Sequence, residues 1–302
     1  MQGNPKGSVR RARLMMIGAM VIFGTIGLFV RHIGVTSAEV ALYRAMIAAV
    51  LLTGGFAVTR TRISVRALGR ELPLLILSGM AMGLNWILLF EAYRYTTVSL
   101  ATLSYYFAPV LVTLACPLLF GERLGKGQWV CFAASTLGLV LITGLGELSG
   151  GSSHLTGILL GLGAAVLYAS VMLLNKQIRG VSGLQRTYLQ FLAAILILLP
   201  YVLLTGGFTI AALDAPGWIN LLLVGCVHTA LAYCLYFPAL RALPGQETAV
   251  LSYIDPLVAC LLSVTLLGET MTPVQMLGGV LILGFTLLNE RLADRRSGGS
   301  AG

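Results

Sequence analysis

The sequence predicts an all-α integral membrane protein whose ten transmembrane helices form two five-helix repeats of opposite orientation. Three observations carry this: apolar runs of spanning length fill nearly the whole chain, basic residues gather at alternate ends of those runs, and the second half matches the first. Of the 302 residues, 57% are hydrophobic and only 10% charged, which leaves too little polar surface for a globule dissolved in water. The runs are continuous and lack the period-two alternation of barrel strands, so helices are the spanning element.

A helix crosses the hydrocarbon core with roughly 20 apolar residues. Such runs fall at about 12–30, 37–58, 72–93, 97–120 and 127–144 in the first half. The first follows a basic tail, residues 1–11, and has no small-x-small cleavage site, so it reads as a span and not as a removed signal. Arg60, Arg62, Arg66 and Arg70 separate the second span from the third, which ends at Arg94. The fourth ends at a Gly121-Glu122-Arg123 turn, and Lys126 precedes the fifth. These five make a first repeat over 12–145.

A second repeat, over 155–290, holds runs at about 155–175, 184–204, 216–240, 246–267 and 273–290. Lys176, Arg179 and Arg186 mark the turn between its first two spans, and Arg241 ends its third. A second Gly-Glu turn, Gly268-Glu269, ends its fourth, and its fifth leads into a tail over 291–302. The last six residues of that tail are Gly- and Ser-rich and are expected to be disordered.

With the chain starting in the cytoplasm, 17 of the 20 Lys and Arg residues fall on that side. Arg31 and Arg94 fall on the other, and Arg44 lies within a span. The positive-inside rule therefore puts both termini in the cytoplasm. The formal charge of +9 reflects this bias and implies no nucleic-acid partner. The five cysteines lie inside spans without a CxxC spacing and read as packing residues, so no metal and no cofactor is expected.

Sliding the chain by 147 aligns residues 90–128 with 237–275 without a gap and with ten identities, among them Tyr106 on Tyr253, Pro109 on Pro256, Gly121-Glu122 on Gly268-Glu269 and Gln128 on Gln275. An offset of 145 aligns earlier helices, with Gly18-Ala19 on Gly163-Ala164 and Tyr43 on Tyr188. Five spans is an odd number, so the second copy enters the bilayer from the opposite side. Inverted repeats of this kind are a transporter signature, because two near-equivalent halves can exchange inward-open and outward-open packings around a central site.

The two segments that carry Pro and then Gly-Glu twelve residues on, together with Arg44 in Leu42-Tyr43-Arg44-Ala45, resemble the drug/metabolite transporter superfamily, specifically its ten-helix EamA-type exporters. The resemblance runs from about Ala12 to Glu290. Within that group the chain is similar to the YddG-type exporters of the bacterial inner membrane, which release aromatic and other amino acids. The resemblance implies a carrier of amino acids and related small metabolites, in the inner membrane, working by alternating access. The second repeat has Leu189 where the first has Arg44, so any role of that arginine is not shared.

Ionisable groups at membrane depth are costly and mark candidate sites. Asp255, directly before Pro256, is expected to face a cavity and bind a substrate amine or a proton; a locally bonded acid that stabilises a kink is the alternative. Pro256 and Pro109 free the carbonyls of Ser252 and Tyr105, so the fourth and ninth spans are expected to be broken at equivalent points. His228 maps onto Ala81, one turn from Asn85, which puts both on one candidate cavity wall; packing is the alternative for the histidine.

Aromatic residues recur in equivalent pairs: Trp86 with Tyr233, Tyr106 with Tyr253, Phe23 with Tyr168 and Tyr43 with Tyr188. Of these, Trp86, Tyr106, Tyr233 and Tyr253, with Tyr105, are the expected cavity rings, suited to apolar and aromatic side chains. Arg44 is expected to make a structural or gating contact, with a substrate carboxylate as the other reading. The Gly-Glu turns read as structural, and Gly79…Gly83 and Gly157…Gly161 as points of close helix approach. A membrane enzyme or a channel-like pore are the rivals; against an enzyme, the chain has no HExxH, GxSxG or P-loop motif and no paired intramembrane acids. Proton coupling stays open.

Overall fold

A computed structural model describes residues 5–61, 63, 65–120, 124–143, 153–243 and 245–299. The described residues form thirteen α-helices: α1 (Pro5–Val30), α2 (Ser37–Val58), α3 (Leu72–Tyr95), α4 (Val98–Tyr105), α5 (Ala108–Phe120), α6 (Lys126–Thr143), α7 (Ser153–Gln177), α8 (Gly183–Thr205), α9 (Ala215–Gly225), α10 (Ala232–Ala242), α11 (Gly245–Ser252), α12 (Ile254–Thr265) and α13 (Pro273–Gly299). They make ten passes. The fourth is α4 with α5, the ninth is α11 with α12, and the eighth is α9 and α10 joined through a π-helical turn, Cys226–Leu231. By length and composition seven passes are long and apolar enough to cross a membrane, and Lys126–Ile142, Val250–Thr265 and Pro273–Asn289 are the shorter apolar helices that complete the set.

Both chain ends depart from expectation. Helix α1 begins at Pro5, inside the expected tail, and α13 continues to Gly299, through the first half of the stretch expected to be disordered. The first Gly-Glu turn, Gly121-Glu122, with Arg123, lies outside the described residues.

The repeat shows in how the helices start. Thr36 and Glu39 close a capping box on α2, and Ser182 and Gln185, at the equivalent places, close one on α8. The Gln128 side chain accepts from the Gly125 N–H at 2.9 Å before α6, and Gln275 accepts from the Thr272 N–H at 2.9 Å before α13. Each reciprocal bond satisfies amide protons that a helix start leaves free, which explains why Gln128 and Gln275 match.

Packing runs chiefly between the repeats. Helix α1 lies on α10 and α12, while α7, its equivalent, lies on α3, α4 and α5. Helix α2 packs on α8, α9 and the π turn, α8 packs on α2 and α3, and α6 pairs with α13. The main core is correspondingly shared: Ala41, Leu42, Ala45 and Ala48 of α2 are buried with Phe90 of α3, Phe191, Ala194 and Leu198 of α8, and Val224 of α9. In lipid the driving force is close packing, and small residues let it happen. A methyl on Gly79 would sit 2.6 Å from the Gln190 carbonyl oxygen on α8, and one on Gly157 would sit 2.6 Å from the Thr96 side chain. Gly138 of α6 and Gly278 of α13 face each other, each leaving 2.6 Å between an added methyl and the other's carbonyl oxygen.

Replacing Gly138 by leucine should therefore push α6 from α13 and lower the melting temperature of the detergent-solubilised protein by several degrees, since overpacking costs about 1–3 kcal/mol. Gly54→Leu, where nothing lies within 4 Å, should leave it nearly unchanged, as read by a thermal-shift assay on both proteins.

Candidate functional site

The two broken passes meet the centre of the bundle. Helix α4 stops at Tyr105 and α5 starts at Ala108, with Pro109 in its first turn; α11 stops at Ser252 and α12 starts at Ile254, with Pro256 in its first turn. Proline has no N–H to give the preceding turn, so the break falls where the sequence puts it. The bends are closed by short-range bonds, Phe107 N–H to Ser104 and Tyr253 N–H to Val250, and the offset of the repeat relates Tyr106 to Tyr253. Each pass thus turns a helix N-terminus and a helix C-terminus toward the interior.

Around these bends lies a cavity of about 510 Å³. Its walls come from α1, α2, α3, α4, α5, α7, α10, α11 and α12 and carry seven tyrosines, Tyr93, Tyr105, Tyr106, Tyr168, Tyr233, Tyr236 and Tyr253. Trp86 and Asn85 join them, as does Pro109. Three of the four equivalent aromatic pairs are on the wall; Tyr43 and Tyr188 are not, and lie against Phe208 and Phe56. Asn85 also ties α3 to α7 by donating to the Ala164 carbonyl at 2.6 Å.

Arg44 and Asp255 are the only charged residues among the described lining residues, and they do not pair with each other. Asp255 sits in the first turn of α12, and its Oδ2 accepts from the Tyr106 hydroxyl at 2.7 Å. The carboxylate of one broken pass is thereby held by the ring at the bend of the other. Arg44, on α2, is 4% exposed. Its Nε donates to Thr229 Oγ1 at 3.1 Å, and its guanidinium carbon lies 4.2 Å from the Trp86 ring centroid and 5.3 Å from that of Phe90.

The structure departs from the sequence reading at His228, which is buried but not on the cavity wall. The π turn rotates it toward α1, where Nε2 meets the Thr25 hydroxyl at 2.8 Å and Nδ1 the Leu223 carbonyl at 3.1 Å, with Phe29 against the ring. The shared-face argument assumed a regular helix, and one extra residue in the turn breaks it. Pro256 is buried behind the wall and not on it. Sequence reading missed Tyr93 and Thr229. Tyr93 was findable, since it lies seven residues after Trp86 and so shares its helix face; Thr229 has its place only because of the π turn.

The cavity is closed at one end. Call the face where α1 begins and α13 ends the terminal face. Toward the opposite, far face the lining residues Phe90, Tyr93 and Arg44 are 1%, 3% and 4% exposed; toward the terminal face the lining is mixed, with Leu243 and Thr248 buried and Leu240 exposed. Glu269, after the Gly268 turn at φ +64°, seals the far end. It pairs with Arg31 at the end of α1, receives the Ser263 hydroxyl, and accepts from the Val98 N–H at the start of α4 at 2.9 Å. Glu39 accepts from the Thr209 N–H and hydroxyl, and Ser37 donates to Glu91 at 2.5 Å, which joins α2 to α3.

Comparison with known proteins agrees with this architecture. The EamA-like transporter family matches twice, at residues 10–144 and 155–290. The chain is 31% identical over 290 residues to YxxF, an uncharacterized transporter of Bacillus subtilis, covering 93% of this chain and 91% of that protein. It is 31% identical over 211 residues to RhtA of Escherichia coli, a threonine/homoserine exporter, covering 69% of this chain and 67% of that one. A solved crystal structure shares the fold at a TM-score of 0.63 and 19% identity, covering 94% of this chain and 98% of that one.

His228→Ala should lower thermal stability through loss of the Thr25 and Leu223 bonds while leaving the KM of a transported substrate within about twofold, because the side chain does not reach the cavity. A KM change well beyond that, at unchanged stability, would return the histidine to the binding surface.

Proposed function

This chain belongs to the EamA-like transporter family, and from that premise we propose that it exports amino acids, with apolar and aromatic side chains favoured, across the bacterial inner membrane by alternating access of its two repeats. The observation that carries the reading is the cavity itself. It is a ring-lined space between the repeats, bounded toward the far face by buried Phe90, Tyr93 and Arg44, with one acid held by Tyr106. The basic bias of the sequence supports a cytoplasmic terminal face, the orientation that export requires. The relative named as a threonine/homoserine exporter supports amino acids as the substrate class. Tyrosine and tryptophan faces suit apolar side chains, which supports the preference within that class.

In this reading Asp255 binds the substrate ammonium, the partner that a lone carboxylate in an apolar surround most favours. Closure at the far face supports a carrier over a continuous pore, and the single carboxylate among the described lining residues supports carriage over hydrolytic chemistry. The Arg31–Glu269 cluster is the far-side latch, because it ties α1, α4 and α12 together above the cavity.

Counterflow of labelled leucine, phenylalanine and threonine in liposomes tests the proposal. Saturable exchange of at least one is expected, and Asp255→Asn should lower it by about tenfold or more, the loss of one charged hydrogen-bonded contact. Movement of none of them would sink the substrate class. For the latch, Glu269→Gln should raise labelling of a cysteine at Thr102 by an impermeant thiol reagent added outside, and unchanged labelling would remove Glu269 from gating.

A further inference from the structure

Resting on the reading of the chain as an amino-acid carrier, we propose that Arg44 is the anchor for the substrate carboxylate, so that the cavity selects molecules that carry an anionic and a cationic group together. An arginine buried in a membrane protein is costly and is normally compensated by an acid. Here no acid is available to it among the described residues. Glu39 is taken by Thr36 and Thr209, Glu91 by Ser37 and Arg94, Glu269 by Arg31, Ser263 and the Val98 N–H, and Asp255 by Tyr106.

What Arg44 does have leaves one edge open. Trp86 and Phe90 present ring faces to the guanidinium, which holds it by cation–π attraction without offering an acceptor. Thr229 takes Nε, and it can do so because its own proton goes to the Val224 carbonyl five residues back, at 2.8 Å, in the π turn. The two terminal nitrogens make no hydrogen bond to a described residue, and the side chain lines the cavity. A planar fork held at Nε and stacked on a ring is shaped to take a carboxylate on its remaining donors.

The second pole lies across the same space. Arg44 and Asp255 line one cavity together with Tyr93 and Tyr233 and form no ion pair, so the two charges flank a common ring-lined volume without neutralising each other. An α-amino acid fits this polarity, its carboxylate toward the closed end and its ammonium toward the Tyr106–Asp255 bend. A lone amine or a lone carboxylate leaves one pole unpaired on a largely ring-lined wall, which is the strongest discrimination that a polar contact provides.

The stacked ring also supplies the readout. With Trp129 and Trp218, which are exposed at 54% and 42%, replaced by phenylalanine, Trp86 is the sole indole and reports directly on the guanidinium above it. Three probes are titrated: leucine, leucinamide, which keeps the ammonium but has no carboxylate, and 4-methylpentanoate, which keeps the carboxylate but has no amine. Leucine should change the Trp86 emission, and leucinamide should bind about 10- to 100-fold more weakly. Arg44→Gln should erase that difference and Arg44→Lys should keep part of it. Equal binding of leucine and leucinamide by the Arg44 protein overturns the anchor, and needs no variant to fold. So does leucine counterflow by Arg44→Gln at unchanged KM, an outcome that leaves the amino-acid reading standing. Arg44-dependent binding of 4-methylpentanoate with none of leucine keeps the anchor and removes the amino-acid reading. Silence of Trp86 toward all three probes overturns the anchor.

Discussion

Backbone amide and carbonyl groups cannot be left unpaired in hydrocarbon, and the rest of this structure depends on that constraint. It makes continuous helices the default for every pass and makes each interruption expensive unless protein surrounds it. The chain interrupts itself at Tyr106–Phe107 and at Tyr253, and it does so where α1, α3, α7 and α10 from the two repeats close around both bends. The interior they enclose is lined by hydroxyl-bearing rings, which bring apolar area and hydrogen-bonding capacity to one surface. Cavity and break are thus one feature: the proline creates polar backbone at mid-depth, and the cross-packed helices supply the only place where it is tolerated.

That cross-packing also means that neither repeat encloses a full core alone. The equivalent pairings, α1 on α10 and α12 against α7 on α3, α4 and α5, use the same kind of surface twice. Two interfaces built from equivalent helices give a bundle related ways of closing around one site, although α7 is packed more extensively than α1. The chemistry inside is not duplicated. Asp255 is opposed by Ala108 and Arg44 by Leu189 at equivalent positions, so a symmetric scaffold carries an asymmetric pair of charges. Symmetry serves the motion and asymmetry orients the ligand.

Most of the scaffold was legible in the sequence because its causes are local or additive. Span length, basic flanks, proline position and repeat offset each follow from composition along the chain, and they gave the ten passes and the two bends. The cavity rings were legible for the same reason, since the offset pairs Trp86 with Tyr233 and Tyr106 with Tyr253. His228 was misplaced because a π turn leaves no signature in hydropathy: Cys226–Leu231 is as apolar as the helix around it, and in the fold the His228 ring and the Thr229 hydroxyl meet the carbonyls of Leu223 and Val224, five residues back. The bonding of Arg44 was illegible too, because whether an acid reaches it depends on the other commitments of four carboxylates, and that is settled only in three dimensions.

Those commitments bear on how such a carrier would be driven. The far face is held by several charge-assisted bonds on Glu269 and Glu39, each contributing about 1.5–3 kcal/mol where it is shielded and less where water reaches it. The terminal face, among the described residues, carries a single ion pair over the cavity side of α1, between Arg13 and Glu247, and that pair is exposed and contributes little. A ligand shifts that balance only through contacts that strengthen as the far face opens. A bound carboxylate on Arg44 is placed for this, because Arg44 is fastened through Thr229 to the same π turn that fastens His228 to α1, and α1 ends at the Arg31–Glu269 pair. Arg44, the π turn and the Arg31–Glu269 pair form one bonded chain, so the proposed carboxylate anchor and the proposed latch are physically linked.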